Sequence, residues 1–189
     1  VDQGVIAGCA GGLYDSITEA AAILKGRTGG CGDYALSVYP ASQPVMMELV
    51  RTGAIASLMA SGATIRTAFC GPCFGAGDVP FNGALSVRHT TRNFPSREGS
   101  KPGAGQLAGV ALMDARSIAA TTANGGLLTA ATDVDYAPTV PDYAFDDSSY
   151  RARVYQGYGH GDYDALLKLG PNIKDWPEIA PLGDNLLLR

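Results

Sequence analysis

Ala68-Phe69-Cys70-Gly71-Pro72-Cys73-Phe74-Gly75 closes an apolar run on a tight turn that carries two thiols three residues apart. Beyond it come a Gly-broken turn and a second apolar run, Ala84-Leu85-Ser86-Val87. The loop Thr91-Arg92-Asn93-Phe94-Pro95-Ser96-Arg97 follows. Thiolates bind soft metals, and the arginine fork binds carboxylate or phosphate. A metal or redox centre beside an anion site is the simplest joint reading of residues 68–97.

On its own, Cys70-Gly71-Pro72-Cys73 is ambiguous. Such a pair can be a redox disulfide, half of a zinc site, or neither. A third thiol, Cys9, lies in Val5-Ile6-Ala7-Gly8-Cys9-Ala10-Gly11-Gly12, an apolar run that ends in a glycine-rich turn. Both runs read as strands with a thiol just past the carboxyl end. In a parallel sheet those ends gather along one edge, and that edge hosts ligands. Three thiols there suit an iron–sulfur cube with one iron left open. Cys31, in a Gly-flanked loop, is a fourth thiol that could complete a four-thiolate zinc site.

The order Gly-Cys after a strand, then Cys-Gly-Pro-Cys, then Arg-Asn-Phe-x-x-Arg resembles the third domain of the aconitase family. The resemblance covers nearly the whole chain. Residues 112–133 resemble the segment after the arginine loop. Gly170-Pro171-Asn172-Ile173-Lys174-Asp175-Trp176-Pro177 resembles the approach to the linker of a fourth, swivelling domain. The resemblance implies that Cys9, Cys70 and Cys73 ligate a 4Fe–4S cluster, with Cys31 outside it. It implies that Arg92 and Arg97 bind substrate carboxylate. The implied reaction is dehydration and rehydration of a hydroxy-polycarboxylic acid. The general base belongs to other domains of the same enzyme, so this domain alone is expected to be inactive. The chain departs from the family pattern at Ala7-Gly8-Cys9-Ala10-Gly11-Gly12, where Gly-Ser-Cys-Thr-Asn-Ser is usual, and at Thr91, where Asn is usual. Both departures remove asparagines that act as outer donors around a cluster.

With 189 residues the chain can bury a full core. Strand and helix patterns alternate, which predicts an α/β fold: three layers, α/β/α, with a mainly parallel sheet. Predicted strands cover residues 5–8, 35–39, 64–69, 84–89 and 110–113. Ser16-x-x-Glu19 reads as a capping box for a helix over 17–24. Ser42 and Asp114 read as caps of two more helices, the latter over residues 115–123, and a short helix is expected over 55–60. From Val134 the pattern fades. The expected division is a domain over 1–133 and an extension over 134–189. That extension wraps the domain, with one helical turn near 164–169 and a linker at the end. Tyr136 and the tyrosines after it read as packing residues.

The net charge is −4 with no basic run, so nucleic acid is not the expected partner. No apolar run nears a membrane span and no signal peptide is visible, so neither membrane contact nor secretion is expected. The cysteine spacing suits a cytoplasmic metal site better than secreted disulfides. The chain opens on Val1 and enters a strand almost at once, which reads as a piece of a longer protein. Expected partners are the remaining domains and a small di- or tricarboxylic acid. His89 and His160 show no spacing for a triad or a metal pair and read as structural. Two readings from other classes stay open: a dithiol oxidoreductase using Cys70 and Cys73, and a zinc-binding or cluster-free interaction domain.

Overall fold

The computed structural model describes residues 1–29, 32–91, 96–138, 142–153, 160, 161, 164, 166, 180–183 and 186–188. It divides into two compact units, Val1–Arg153 and Val154–Arg189. The first unit is built on five parallel strands: β1 (Gln3–Ile6), β2 (Ala35–Val38), β3 (Thr64–Ile65), β4 (Leu85–His89) and β5 (Gly109–Leu112). Their order is β3-β2-β1-β4-β5. The helices are α1 (Gly8–Gly11), α2 (Tyr14–Leu24), α3 (Gln43–Arg51), α4 (Ala54–Ala60), α5 (Ala115–Ala123) and α6 (Ser148–Arg151). The chain is therefore an α/β protein with a parallel sheet. Among the described residues no helix is long and apolar enough to cross a membrane.

Side chains alternate across the strands, and the two faces differ in kind. Ile6, Leu36, Val38 and Val87 share one core with Ile17, Ile23 and Leu24 of α2, Leu49 of α3, Leu58 of α4 and Ile118 of α5. On the other face Val5, Ala7 and Tyr39 form a small separate cluster. Ser37, Ser86 and Arg88 are buried with them. This second face is polar, and it binds the loop between β3 and β4. Ser37 donates to Asp78 Oδ1 at 2.8 Å, and Arg88 donates to the carbonyls of Pro72 and Asp78.

Two caps are as the sequence predicts. Ser42 Oγ accepts the Val45 N–H at 3.3 Å. Asp114 Oδ1 accepts the N–H groups of Arg116 and Ser117 at 3.0 and 3.2 Å. The capping box on Ser16 does not form. Helix α2 starts at Tyr14, after an extended Leu13 that makes no side-chain cap. Tyr14 and Ile17, three apart, both enter the core, so the helical turn must begin earlier. Glu19 instead lies 3.7 Å from Arg116 of α5.

Strand β3 is shorter than residues 64–69. Only Thr64 and Ile65 pair with β2, and the Arg66 N–H still reaches the Val38 carbonyl at 2.9 Å. The chain then leaves the sheet to cover its polar face. Val134 and Tyr136 pack on the core, and Tyr143 packs on the Tyr14 ring with centroids 5.1 Å apart. In the second unit the tail expected to be a linker forms an antiparallel pair, β6 (Ala180–Gly183) with β7 (Leu186–Leu188). The turn expected near 164–169 lies outside the described residues except at Asp164 and Leu166.

Gly11 is held where α1 backs onto the end of β4. A Cβ there would overlap the His89 carbonyl oxygen and lie 2.9 Å from the His89 Cβ. Backbone on the far side cannot yield as a flexible side chain would. Gly11→Ala is expected to lower stability by about 1–3 kcal/mol, the usual range for overpacking, read as a shifted urea midpoint at constant slope. An unchanged midpoint would show that α1 moves freely away from β4.

Candidate metal centre at the carboxyl edge of the sheet

The strand order runs outward from β1 to β3, then returns to place β4 on the other side of β1. The connections after β1 and β4 therefore lead apart, opening a crevice at their carboxyl ends where α/β sheets bind ligands. Ile6 of β1 pairs with His89 of β4, and the Ala7 N–H reaches the His89 carbonyl at 3.0 Å. Cys9 lies three residues past β1, and Thr91 lies two past β4. Cys9 Sγ is 3.3 Å from Thr91 Oγ1.

Cys73 arrives at the same hydroxyl from the β3–β4 connection, with its Sγ 3.9 Å from Thr91 Oγ1. Residues Gly71–Cys73 form a single 3-10 turn with Pro72 near its start, where the missing N–H is not needed. The Cys73 N–H returns to the Cys70 carbonyl at 3.0 Å. Gly8 lets β1 approach this turn. It has φ of +72° and a Cβ would stand 2.6 Å from Cys73 Sγ. Only glycine adopts that backbone freely and leaves room for the sulfur.

Cys9 and Cys70 are exposed, Cys73 is half-buried, and none of the three is joined in a disulfide. Cys70 opens the turn that Cys73 closes. Among the described residues no three His, Cys, Asp or Glu side chains are grouped so that they could hold a metal ion. One hydroxyl thus gathers Cys9 and Cys73, while Cys70 stands at the head of the same turn. Phe69 and Phe74 flank the turn as an exposed edge-to-face pair with centroids 6.0 Å apart.

A family model described as the aconitase family (aconitate hydratase) matches residues 1–120. The chain belongs to the aconitase family. The 3-isopropylmalate dehydratase large subunit of Nitratidesulfovibrio vulgaris (strain DSM 19637 / Miyazaki F) is 36% identical over 129 residues, covering 68% of this chain and 31% of its own length. The 3-isopropylmalate dehydratase large subunit of Mycolicibacterium smegmatis is 37% identical over 120 residues, 63% of this chain and 28% of its own. The homoaconitase large subunit of Thermus thermophilus is 35% identical over 136 residues, 71% of this chain and 31% of its own. This aconitase-family chain spans under a third of the length of these relatives.

Thr91 and the Gly11-Gly12 pair have defined structural roles at this edge. The Thr91 hydroxyl is the group the Cys9 and Cys73 sulfurs share. At Gly11 and Gly12 backbone lies where a Cβ would stand: His89 behind Gly11, Tyr39 and Ala41 behind Gly12. Arg97 is half-buried, and its carbonyl sits 3.0 Å from where a Cβ on Gly75 would be, two residues beyond Cys73. Arg92 and Cys31 lie outside the described residues. Glu98, a possible arginine partner, is buried and accepts the Ser100 hydroxyl. His160 is exposed and belongs to the second unit.

Two further groups brace the site. Asp78 accepts from Ser37 and from the Tyr39 hydroxyl, and pairs with Arg66 at 3.5 Å. Burial, together with the Asp78 carboxylate, pushes the Tyr39 hydroxyl up to about 12, so it stays a donor. A lone polar side chain in an otherwise strand-forming run was the only advance signal for such a brace.

His89 Nδ1 accepts the Ala115 N–H at 3.1 Å, tying β4 to α5. Burial lowers its pKa, with the Asp114 carboxylate pulling the other way. The unfolded chain therefore takes up a proton first, near the ordinary value of about 6.5. Stability is full above that pH, declines as pH falls below it, and stops declining once the folded-state value is passed. His89→Asn keeps an acceptor but does not titrate. Urea midpoints between pH 7 and 5 should fall further in the wild type than in this variant, and parallel curves would refute the assignment.

Proposed function

We propose that this chain is the cluster-bearing part of an aconitase-family hydro-lyase, as its resemblance to the third domain implies. In this reading Cys9, Cys70 and Cys73 hold a 4Fe–4S cluster, and Arg92 and Arg97 hold a carboxylate of the substrate. The substrate class is a small hydroxy di- or tricarboxylic acid, in keeping with relatives named 3-isopropylmalate dehydratase and homoaconitase. The observation that carries the reading is the meeting of Cys9 and Cys73 at the Thr91 hydroxyl, in the crevice between β1 and β4.

By donor type the set suits such a centre, although among the described residues the three thiols are not grouped as a metal site and only Cys9 and Cys73 meet at one hydroxyl. Iron–sulfur clusters take thiolate ligands, and three soft donors with no histidine or carboxylate among them favour iron over a hard cation. When bound, the cluster supplies a Lewis-acidic iron for the substrate hydroxyl and carboxylate. The chain's own residues do the rest of the local work. Thr91 offers a hydroxyl to the sulfurs, which fixes their direction as an outer donor does. The guanidinium fork of Arg97 orients a carboxylate by two parallel hydrogen bonds. Phe69 and Phe74 supply an apolar flank to the thiol turn. The acid–base groups and the remaining substrate contacts come from other domains, so this chain alone does not turn over. The working compartment is the cytoplasm, where thiols remain reduced.

Anaerobic reconstitution with iron and sulfide should give a broad visible absorption that Cys70→Ser abolishes. Uptake of one zinc and no iron under the same conditions would overturn the cluster reading. In the complete enzyme, Arg97→Lys should lower kcat/KM by about tenfold or more with the absorption retained, because lysine keeps the charge and loses the planar fork. Unchanged kinetics would remove Arg97 from the substrate site.

A further inference from the structure

Arg88 of β4 is the largest fully buried side chain among the described residues, 2% exposed. Among the described residues its guanidinium donates four hydrogen bonds, all to neutral oxygens. Nε reaches Ser86 Oγ at 2.9 Å, and Nη1 reaches the Pro72 carbonyl at 2.9 Å. Nη2 reaches Gln3 Oε1 at 3.1 Å and the Asp78 carbonyl at 2.7 Å. No ion pair joins it to a carboxylate among the described residues.

A charge buried in this way is unfavourable unless its geometry is used, and an apolar side chain could fill the same volume. The use lies in the acceptors. Two belong to the sheet, Gln3 on β1 and Ser86 on β4. Two belong to the covering loop, on either side of residues 73–77. The Pro72 carbonyl is part of the peptide whose N–H is that of Cys73, and this N–H bonds the Cys70 carbonyl at 3.0 Å. Holding the Pro72 oxygen holds the peptide plane that links the two cysteines. A rigid planar fork can do this from below the sheet face without entering the site.

We propose that Arg88 is the positioning residue of the thiol pair. It locks the Pro72–Cys73 peptide onto the sheet, so that Cys70 and Cys73 are presented together with Cys9 to a soft metal. The metal part rests on the function proposed above, while the clamp stands on its own geometry.

The test uses site-resolved alkylation of the reduced, metal-free complete protein, read by mass spectrometry, beside iron uptake on anaerobic reconstitution. In Arg88→Met, Cys73 should alkylate about fivefold faster or more, because the fork that fixed its peptide is gone. Cys9 sits on another element and should keep its rate, whereas general loosening would speed all three thiols. Arg88→Lys, which retains charge and a single point of contact, should fall between the two. Iron retained per chain should drop in the same order. Cys73 and Cys9 rates that both stay at wild-type values, or that rise together, overturn the clamp. If Cys70→Ser loses iron while Arg88→Met keeps a wild-type load, the metal reading stands and the positioning role fails. If wild-type protein takes up no iron, the metal reading fails and the alkylation rates still decide the clamp. Should neither Arg88 variant fold by circular dichroism, the wild type decides by nitrogen-15 NMR of its arginine side chains. Separate, slowly exchanging Nη signals for Arg88 support a held fork, and a single averaged signal overturns it.

Discussion

The parallel pairing of β1 with β4 is the constraint on which the site depends. Gln3 to Ile6 run beside Ser86 to His89 in unbroken register, and the Ala7 N–H adds one more bond to His89. Because both strands point the same way, the chain emerges from each at the same edge. Residues 82 apart in sequence, Cys9 and Thr91, meet there. The strand order sends the next connection from β1 to one side and from β4 to the other, which leaves a gap between them. Helix α1 fits under this edge only because Gly11 presents no side chain to His89. A slip of one residue in this register would exchange the two faces and scatter the thiols.

The sheet keeps its two faces chemically apart. Aliphatic burial against α2 to α5 supplies the main drive for folding, at about 25 cal/mol per Å² of apolar surface. The opposite face carries Ser37, Tyr39, Ser86 and Arg88, and it would be unfavourable if dry and unpartnered. The loop from β3 to β4 satisfies it with carbonyl oxygens and with Asp78. That aspartate sits at φ +47°, a left-handed backbone that Asp tolerates better than most residues. Each charge-assisted bond of this kind is worth about 1.5–3 kcal/mol when its partner is already in place. A segment with little regular structure is thereby fixed at several points, which is what a ligand turn requires. Burial lowers the Arg88 pKa, with the Glu98 and Asp78 carboxylates pulling the other way; a guanidinium nonetheless keeps its charge at neutral pH.

Much of this could be read along the chain. Apolar runs marked the strands, Ser42 and Asp114 marked their helices, and the Cys9 turn stood at a strand end, whereas β3 stops at Ile65 and the chain leaves the sheet before Cys70. Those features rest on local rules: periodicity, caps and turn residues. The features that escaped reading are set by distant parts of the chain. Ser16 and Glu19 have the spacing of a capping box, but the need to bury Tyr14 moves the helix start ahead of them. Thr91 reads as a lost asparagine until the fold brings two sulfurs to its hydroxyl. Arg88 reads as one polar residue inside a strand. Its parity, opposite to Val87 and matching Ser86, was the available hint that the second face is polar. The antiparallel pair at the end of the chain is short and carries a proline, and it leaves no alternating signal.

The shortness of β3 bears on how the molecule behaves in company. Sheet edges are templates on which other chains can add a strand, and long flat edges lead to aggregates. Here that side of the sheet ends in a two-residue strand, and the chain turns away at Arg66, whose charge is anchored to Asp78. An incoming strand meets too few open backbone groups to bind and a cation at the point where it would extend. The backbone of this side of the sheet can therefore by itself resist seeding intermolecular growth.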